Sequence, residues 1–436
     1  MRLGVVSLGC DKATVDSEAL LARFVGHGAV VTADLGDADV ILVNTCGFID
    51  AAKRESIEAM LEAARMKREG RCRAVVAVGC LVSRYQDELR RELPEVDYLY
   101  GFQDLSGLVP QLVADGLLDD PEVAHPGMRF FFGTMPHVRY LKISEGCDHT
   151  CAFCAIPLMR GTHRSRPLED LVREAQELES RAAREINLVA QDLGHYGRDL
   201  PGATRLSDLV AALLRETSVP WYRPLYVYSA GITPELVGLF ATEPRLVRYI
   251  DMPIQHASDR LLQLMRRPER QATIRTKVAW LREAVPGMTI RTTALVGFPS
   301  ETDAEFRELL EFVDEMQFDR LGAFAYSAQE GTRAAQLSDD VPESVKQERV
   351  EELTELQRAV SAVRLAGLVG QEVEALVDEP AAPDDPGAFI ARTAFQADDV
   401  DGCTYLRSPG VERPGDFVRA RVVDALDYDL VAERVA

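Results

Sequence analysis

Two rhythms of apolar and polar residues alternate through the first hundred positions. Unbroken apolar runs, LGVVSLG, DVILVNTC and RAVVAVGC, are separated by stretches of helical periodicity such as SEALLARFVGHG and DAAKRESIEAMLEAARMKREG. β-rich runs separated by helices predict a parallel sheet in an α/β domain, placed at 1–118. Residues 117–137, LLDDPEVAHPGMRFFFGTMPH, are rich in Pro and Gly and read as a linker. The alternation resumes over 133–369 with six further candidate strands: VRYLKIS, EINLVAQ, LYVYSA, RYIDMPI, TIRTTALVGF and RLGAFAYS. Helical patterns such as LEDLVREAQELESRAA and DAEFRELLEFVDEM lie between most of them, and six βα units predict a barrel or an incomplete barrel. A long helix is expected at about 342–369. Over 370–436 the runs become short, as in EVEALVDE, AFIARTAFQ, CTYLRS and DFVRARVVDAL, with Pro, Gly and Asp between them. They predict a small antiparallel β-barrel.

Composition agrees with this three-part α/β chain. Its 436 residues suit two or three domains, and 47% hydrophobic with 27% charged residues marks a soluble globular protein. No apolar run approaches the roughly 18 residues of a membrane helix. The start, MRLGVVSLGC, superficially resembles a lipoprotein signal ending at Cys10, but it lacks a basic stretch and a long apolar segment. The chain is therefore expected in the cytoplasm, away from membranes, where thiols stay reduced. There, clustered cysteines more often mean metal or catalysis than disulfides. The net charge of −21 disfavours nucleic acid as substrate and favours a basic protein partner, without excluding a local basic patch. Residues 371–436 alone carry 15 Asp/Glu against 6 Lys/Arg.

Three of only eight cysteines fall within CDHTCAFC, as Cys147, Cys151 and Cys154, with Phe153 before the last. Structural zinc normally closes with four ligands, and four-iron clusters usually take a thiolate at every iron. Three thiolates leave one metal position open. The alternative is zinc completed by His149 or His163, although His149, lying between two of the cysteines, is sterically a poor fourth ligand. A second set is dispersed: Cys10, Cys46 and Cys80 each close one of the three amino-terminal apolar runs. A lone buried cysteine is usually a small hydrophobe. In open parallel sheets, however, ligands bind beyond the carboxyl ends of the strands, so these three are expected to converge on a second metal site. Cys72 and Cys403 have no partners at ligand spacing and are expected to be incidental.

The C-x3-C-x2-C spacing, with an aromatic before the third cysteine and six βα units behind it, resembles the radical S-adenosylmethionine enzymes. The resemblance implies a 4Fe-4S cluster at Cys147, Cys151 and Cys154 whose open iron chelates S-adenosylmethionine. Reductive cleavage of that cofactor then yields a hydrogen-abstracting 5′-deoxyadenosyl radical. LGCDKATVDSE, VNTCGFIDAAKRESI and VGCLVSRYQDELRRELPEVDYLYG further resemble the amino-terminal domain of the methylthiotransferases, a family that ends in a small barrel called TRAM. Membership implies another 4Fe-4S cluster at Cys10, Cys46 and Cys80 that carries the sulfur to be inserted, and a second S-adenosylmethionine as methyl donor. It also implies an electron donor and a sulfur source as partners. DKAT at 11–14 departs from the Pro-Lys-Asn usual in relatives, which is expected to alter only a turn.

Around the site, GFPSETDAEF resembles a family segment near the cofactor, with Gly297 and Pro299 shaping a turn and Glu301 facing the adenosyl group. It reads equally as a helix start capped by Ser300 or Thr302. Gln191, His195, Tyr196 and His256 also follow strands and are candidates to touch cofactor or substrate, while His256 is equally a satisfied core histidine. No general base is assigned, because the abstracting agent in such chemistry belongs to the cofactor. The family has two main branches, one modifying an adenosine beside the tRNA anticodon. The other modifies the β-carbon of an aspartate in the twelfth small-subunit ribosomal protein, near the decoding centre. NTCGFIDAAKRESI and ARTAFQADDVDGCTYL resemble the ribosomal-protein branch, and the acidic last section favours a basic protein over RNA. A non-enzymatic electron carrier is the rival from another class, and it would not cleave S-adenosylmethionine when reduced.

Overall fold

The computed structural model describes residues 1–120, 127–133, 135–202 and 204–435. The amino-terminal unit runs β1 (Arg2–Ser7), α1 (Asp11–Gly26), β2 (Val30–Thr32), β3 (Val40–Thr45), α2 (Asp50–Glu69), β4 (Ala74–Gly79), α3 (Cys80–Glu92), β5 (Tyr98–Tyr100) and α4 (Leu108–Ala114). Its sheet has the order β2-β1-β3-β4-β5 and is parallel throughout. The two edge strands exceed the three that the apolar pattern marked. Each is only three residues long, too short for periodicity to reveal. Every residue of β3 and β4 is buried, because helices cover both faces. The order reverses about β1, so the crevice of this sheet opens beyond the ends of β1 and β3.

The segment read as a linker does more than connect. Its described part buries Arg129, which binds Glu18 of α1 at 2.9 Å and Glu174 of the central unit at 2.9 Å. Residues 121–126 and 134 of that stretch lie outside the described residues.

The central unit continues with β6 (Val138–Lys142), β7 (Ser144–Glu145), α5 (Ile156–Arg160), β8 (Arg164–Ser165), α6 (Leu168–Ser180), β9 (Glu185–Val189), α7 (Leu206–Glu216), β10 (Trp221–Pro224) and α8 (Pro234–Thr242). Next come β11 (Tyr249–Asp251), α9 (Asp259–Leu264), α10 (Gln271–Ala284), β12 (Thr289–Val296), α11 (Asp303–Met316), β13 (Arg320–Ala325) and α12 (Glu343–Ala366). Parallel triplets β6-β9-β10 and β11-β12-β13 join between β10 and β11, where Val247 N–H reaches Tyr222 O at 3.0 Å and Val227 N–H reaches Asp251 O at 2.8 Å. Six strands make an incomplete barrel. One expected strand is displaced: WYRP forms β10, and LYVYSA is the loop after it. Pro224 ends the strand, and Tyr226 takes a left-handed backbone at φ 62°, its N–H donating to the Asp251 carboxylate at 3.2 Å.

The last unit comprises β14 (Glu372–Pro380), β15 (Phe389–Thr393), β16 (Thr404–Arg407), β17 (Phe417–Ala425) and β18 (Leu430–Arg434), closed in the order β14-β15-β16-β18-β17. The barrel is antiparallel except for the β16–β18 pair, which is parallel. Strand β18 was not marked by the sequence pattern. Among the described residues no helix is long and apolar enough to cross a membrane.

Candidate active site: two three-cysteine sets

Cys10 is the residue immediately before α1, Cys46 follows β3, and Cys80 opens α3. The three loops touch. A Cβ on Gly9 would lie 3.6 Å from Cys46 Sγ, and one on Gly47 would lie 2.8 Å from Leu81 Cα, so only glycine lets the Cys46 and Cys80 loops pack this closely. Cys46 N–H is held by Ser56 Oγ at 2.9 Å. Burial pushes the Cys80 thiol up to about 11, opposed by the Arg160 guanidinium; Cys10 and Cys46 push it further upward.

Cys147, Cys151 and Cys154 follow β7 and precede α5. They line a cavity of about 320 Å³ together with His149, Leu158 and Arg333. Burial pushes Cys147 up to about 11 and Cys154 up to about 12, and the neighbouring thiols add to both shifts. Both thiols are therefore protonated near neutral pH, and a metal must displace those protons. Cys151 Sγ lies 3.8 Å from Tyr228 Oη and 3.9 Å from Arg267 Nη1, with the guanidinium 4.0 Å over the Tyr228 ring.

Neither His149 nor His163 is grouped with two of these thiols within 4.8 Å among the described residues. His149 Nε2 lies 2.7 Å from the Asp192 carboxylate, and His163 Nε2 lies 2.9 Å from Ser165 Oγ. His149, Asp192 and His195 form the one group of three potential ligands whose donor atoms lie within 4.8 Å of one another among the described residues; neither thiol set is drawn that close. The two imidazoles are nearly parallel, with centroids 4.3 Å apart, so their in-plane lone pairs do not converge on one ion.

The two thiol sets sit on either side of one short loop. Tyr226 lies under the Lys12 ammonium at 3.6 Å, beside the amino-terminal cysteines, and its hydroxyl reaches Asp11 at 3.4 Å. Two residues on, Tyr228 stacks on His149 at 4.3 Å, within the second set. Arg160 bridges the sets from the other side. It stands on α5, just after Cys154, binds Glu145 at 2.8 Å and Asp16 of α1 at 3.0 Å, and its charge acts on the Cys80 thiol. Lys142 also pairs with Asp16, and with Glu145 at 2.6 Å. Against the upward push of burial, Lys142 and Arg160 hold Glu145 down at about 2.

Other candidates divide. His195 stacks beside the cavity, and Gln191 reaches Glu145 at 3.4 Å, so both border the site. Tyr196 is core, its hydroxyl on Arg166 O at 3.0 Å. His256 is fully buried, its Nδ1 accepts from Ser258 N–H at 3.0 Å, and burial pushes it down to about 3, so it is a neutral core histidine. Thr302 caps α11 in a capping box with Glu305. Glu301 points inward to Arg349 at 3.1 Å, and Gly297 makes the preceding turn at φ 71°. Cys72 packs into the amino-terminal core, and Cys403 sits beside Asp429 in the last unit. Lys12, Arg160, Tyr226, Tyr228 and Arg267 were missed as site residues. Lys12 lies inside the motif quoted for Cys10, whereas the others are brought in by the fold.

Glu301 gives a pH-dependent expectation. Burial raises its carboxyl from 4.5 to about 7, outweighing Arg349. The native chain then holds this proton more tightly than the unfolded chain, so the associated stability is present below about 4.5 and is lost as pH rises through about 7, worth about 3 kcal/mol. Denaturant titrations of wild type and Glu301→Gln from pH 4.5 to 8 check this: the wild-type slope should exceed that of the variant.

Comparison with known proteins places this architecture. Residues 2–101 match the uncharacterized protein family UPF0004, 141–313 the radical SAM superfamily and 369–435 the TRAM domain. Two proteins called ribosomal protein uS12 methylthiotransferase RimO match end to end. The one from Anaeromyxobacter sp. (strain K) is 46% identical, covering 100% of this chain and 93% of its own. The one from Desulforudis audaxviator is 48% identical, covering 99% and 96%. Among solved structures, a radical S-adenosylmethionine methyltransferase, TsrM of Kitasatospora setae, superposes with a TM-score of 0.56 at 15% identity, covering 74% of this chain and 72% of its own, a likeness of fold alone. The matched domains and the end-to-end relatives thus define a radical S-adenosylmethionine methylthiotransferase that uses S-adenosylmethionine and two 4Fe-4S clusters. Within that class the chain belongs to the RimO family.

Proposed function

We propose that the protein places a methylthio group on the β-carbon of an aspartate in ribosomal protein uS12. The observation that carries this reading is the opposition of two three-thiol sites across the Tyr226–Tyr228 loop, in a chain alike end to end with enzymes named for uS12. Three thiolates in each set suit a 4Fe-4S cluster with one iron left open: Cys10, Cys46 and Cys80 for one, Cys147, Cys151 and Cys154 for the other. With both bound, the second set and S-adenosylmethionine supply a 5′-deoxyadenosyl radical and the first supplies the sulfur. An external electron donor and a sulfur source complete the reaction. Arg267 and Tyr228 orient Cys151, while Arg160 and Ser56 hold the Cys80 and Cys46 loops.

The last barrel suits a basic protein substrate. Five of its six arginines are engaged by its own acids: Arg392 by Asp378, Arg407 by Glu433, Arg419 and Arg421 by Glu372, and Arg434 by Glu412. Its exposed Glu374, Glu379, Asp384, Asp399 and Asp424 remain to attract lysines and arginines of a partner.

The test offers anaerobically reconstituted enzyme purified uS12 and a tRNA anticodon stem-loop in parallel. Tandem mass spectrometry should find one methylthio group replacing hydrogen on an aspartate of uS12. The same gain on the stem-loop adenosine alone would overturn the proposal.

A further inference from the structure

Lys12 is a buried cation without an ion-pair partner among the described residues. It stands in the first turn of α1, is 9% exposed, and its ammonium lies 3.6 Å over the Tyr226 ring. No carboxylate among the described residues comes within ion-pair distance of it. The groups it faces are Tyr226, the Cys10 thiol, Asp11 and Arg160. Arg160 also has unused capacity: its Nη2 is buried and finds no hydrogen-bond partner. A buried guanidinium donor is ordinarily satisfied by an acceptor, and one left open is costly. The strain at Tyr226 points to the same place, because a bulky side chain at φ 62° must be held there, here by Asp251.

We propose that Lys12, with Arg160 Nη2 beside it, is the anchor for the carboxylate of the substrate aspartate. The inference rests on the aspartate reading given above. The reacting β-carbon is bonded directly to the side-chain carboxyl carbon. A cation over the Tyr226 ring, beside Cys10, that grips this carboxylate therefore holds the β-carbon next to the amino-terminal thiol set as well. The substrate anion supplies the acceptors that Lys12 and Arg160 lack, and the Tyr226 ring keeps the ammonium over the gap.

The experiment is a binding cycle on anaerobically reconstituted holoenzyme. Wild type and Lys12→Met are each titrated with uS12 and with uS12 whose target aspartate is replaced by asparagine. Lys12→Met should weaken wild-type uS12 by about 10- to 100-fold, the loss of one charge-assisted contact. The asparagine substrate should lose a similar factor on wild-type enzyme and nothing further on Lys12→Met. Lys12→Arg, which keeps the charge, should recover part of the affinity. Iron content and the cluster absorption spectrum of Lys12→Met should match wild type. Two independent, multiplying losses would overturn the anchor, as would a fall in iron content with equal weakening of both substrates, which marks Lys12 as a counter-ion to the cluster instead. Mass spectrometry of the wild-type product separates the two failures. Modification of an aspartate with multiplying losses sinks Lys12 alone, whereas modification of another residue sinks the aspartate reading and the anchor with it.

Discussion

Cys151→Ala will leave S-adenosylmethionine intact, whereas Cys46→Ala will keep releasing 5′-deoxyadenosine and make no methylthiolated uS12. The two thiol sets hang from different elements of different units, so each can be lost alone. Cys151 is the thiol engaged by Tyr228 and Arg267, and without it only two thiolates remain, too few to keep a cluster with three occupied irons and one open. Cys46 is fastened through Ser56 in the amino-terminal unit, away from the Cys147–Cys154 cavity. Each variant should retain about half the iron of wild type, since each keeps one complete set. Chromatography for 5′-deoxyadenosine and mass spectrometry of uS12 read the two halves separately. Release of 5′-deoxyadenosine by Cys151→Ala would remove the assignment of that set, and methylthiolated product from Cys46→Ala would remove the assignment of the other.

The site was legible in the sequence where chemistry needs a fixed residue at a fixed place. Cys147, Cys151 and Cys154 lie within one loop, and Cys10, Cys46 and Cys80 share a position after parallel strands, so alternation of strands and helices sufficed to bring them together. Strands of four residues or more were mostly visible for the same reason. What escaped was set by distant partners. LYVYSA has the composition of a strand, yet the Asp251 carboxylate, 25 residues on, turns Tyr226 into a left-handed loop. Arg160 and Arg267 carry no local signal in MRG and RRPER. Their roles arise from Asp16, Glu145, Cys80 and Cys151, which no local pattern links to them. The segment before β6 looked like a linker from its prolines and glycines, and Arg129 became a lock only because Glu18 and Glu174 face it.

Arg392→Met is expected to loosen the last barrel from the central unit and lower its stability by about 3–5 kcal/mol. Arg392 stands on β15 at 4% exposure, binding Glu185 of β9 at 2.6 Å and Asp378 of β14 at 2.8 Å. Glu185 is fully buried and shares its charge with Arg223 at 2.7 Å, while Asp378 also meets His137 Nε2 at 2.9 Å. Methionine fills much of the arginine volume, so the loss is electrostatic: Asp378 is left with His137 alone, and Glu185 with one cation. Neutralising the stranded acid in Arg392→Met/Asp378→Asn should recover part of the deficit, as expected for residues in one network. The pH dependence carries the same sign. Without Arg392 the Asp378 carboxyl loses two of the effects that hold it below its ordinary value of 3.8, so the stability that the low value confers on the wild type is reduced at neutral pH and the deficit shrinks as pH falls through the carboxylate range. Thermal melts and limited proteolysis of the three proteins at pH 3.5 and pH 8 measure both effects. A single variant within about 1 kcal/mol of wild type, or a double variant worse than the single, would show that apolar packing such as Trp221 against Phe417, 4.8 Å between centroids, holds the barrel in place instead.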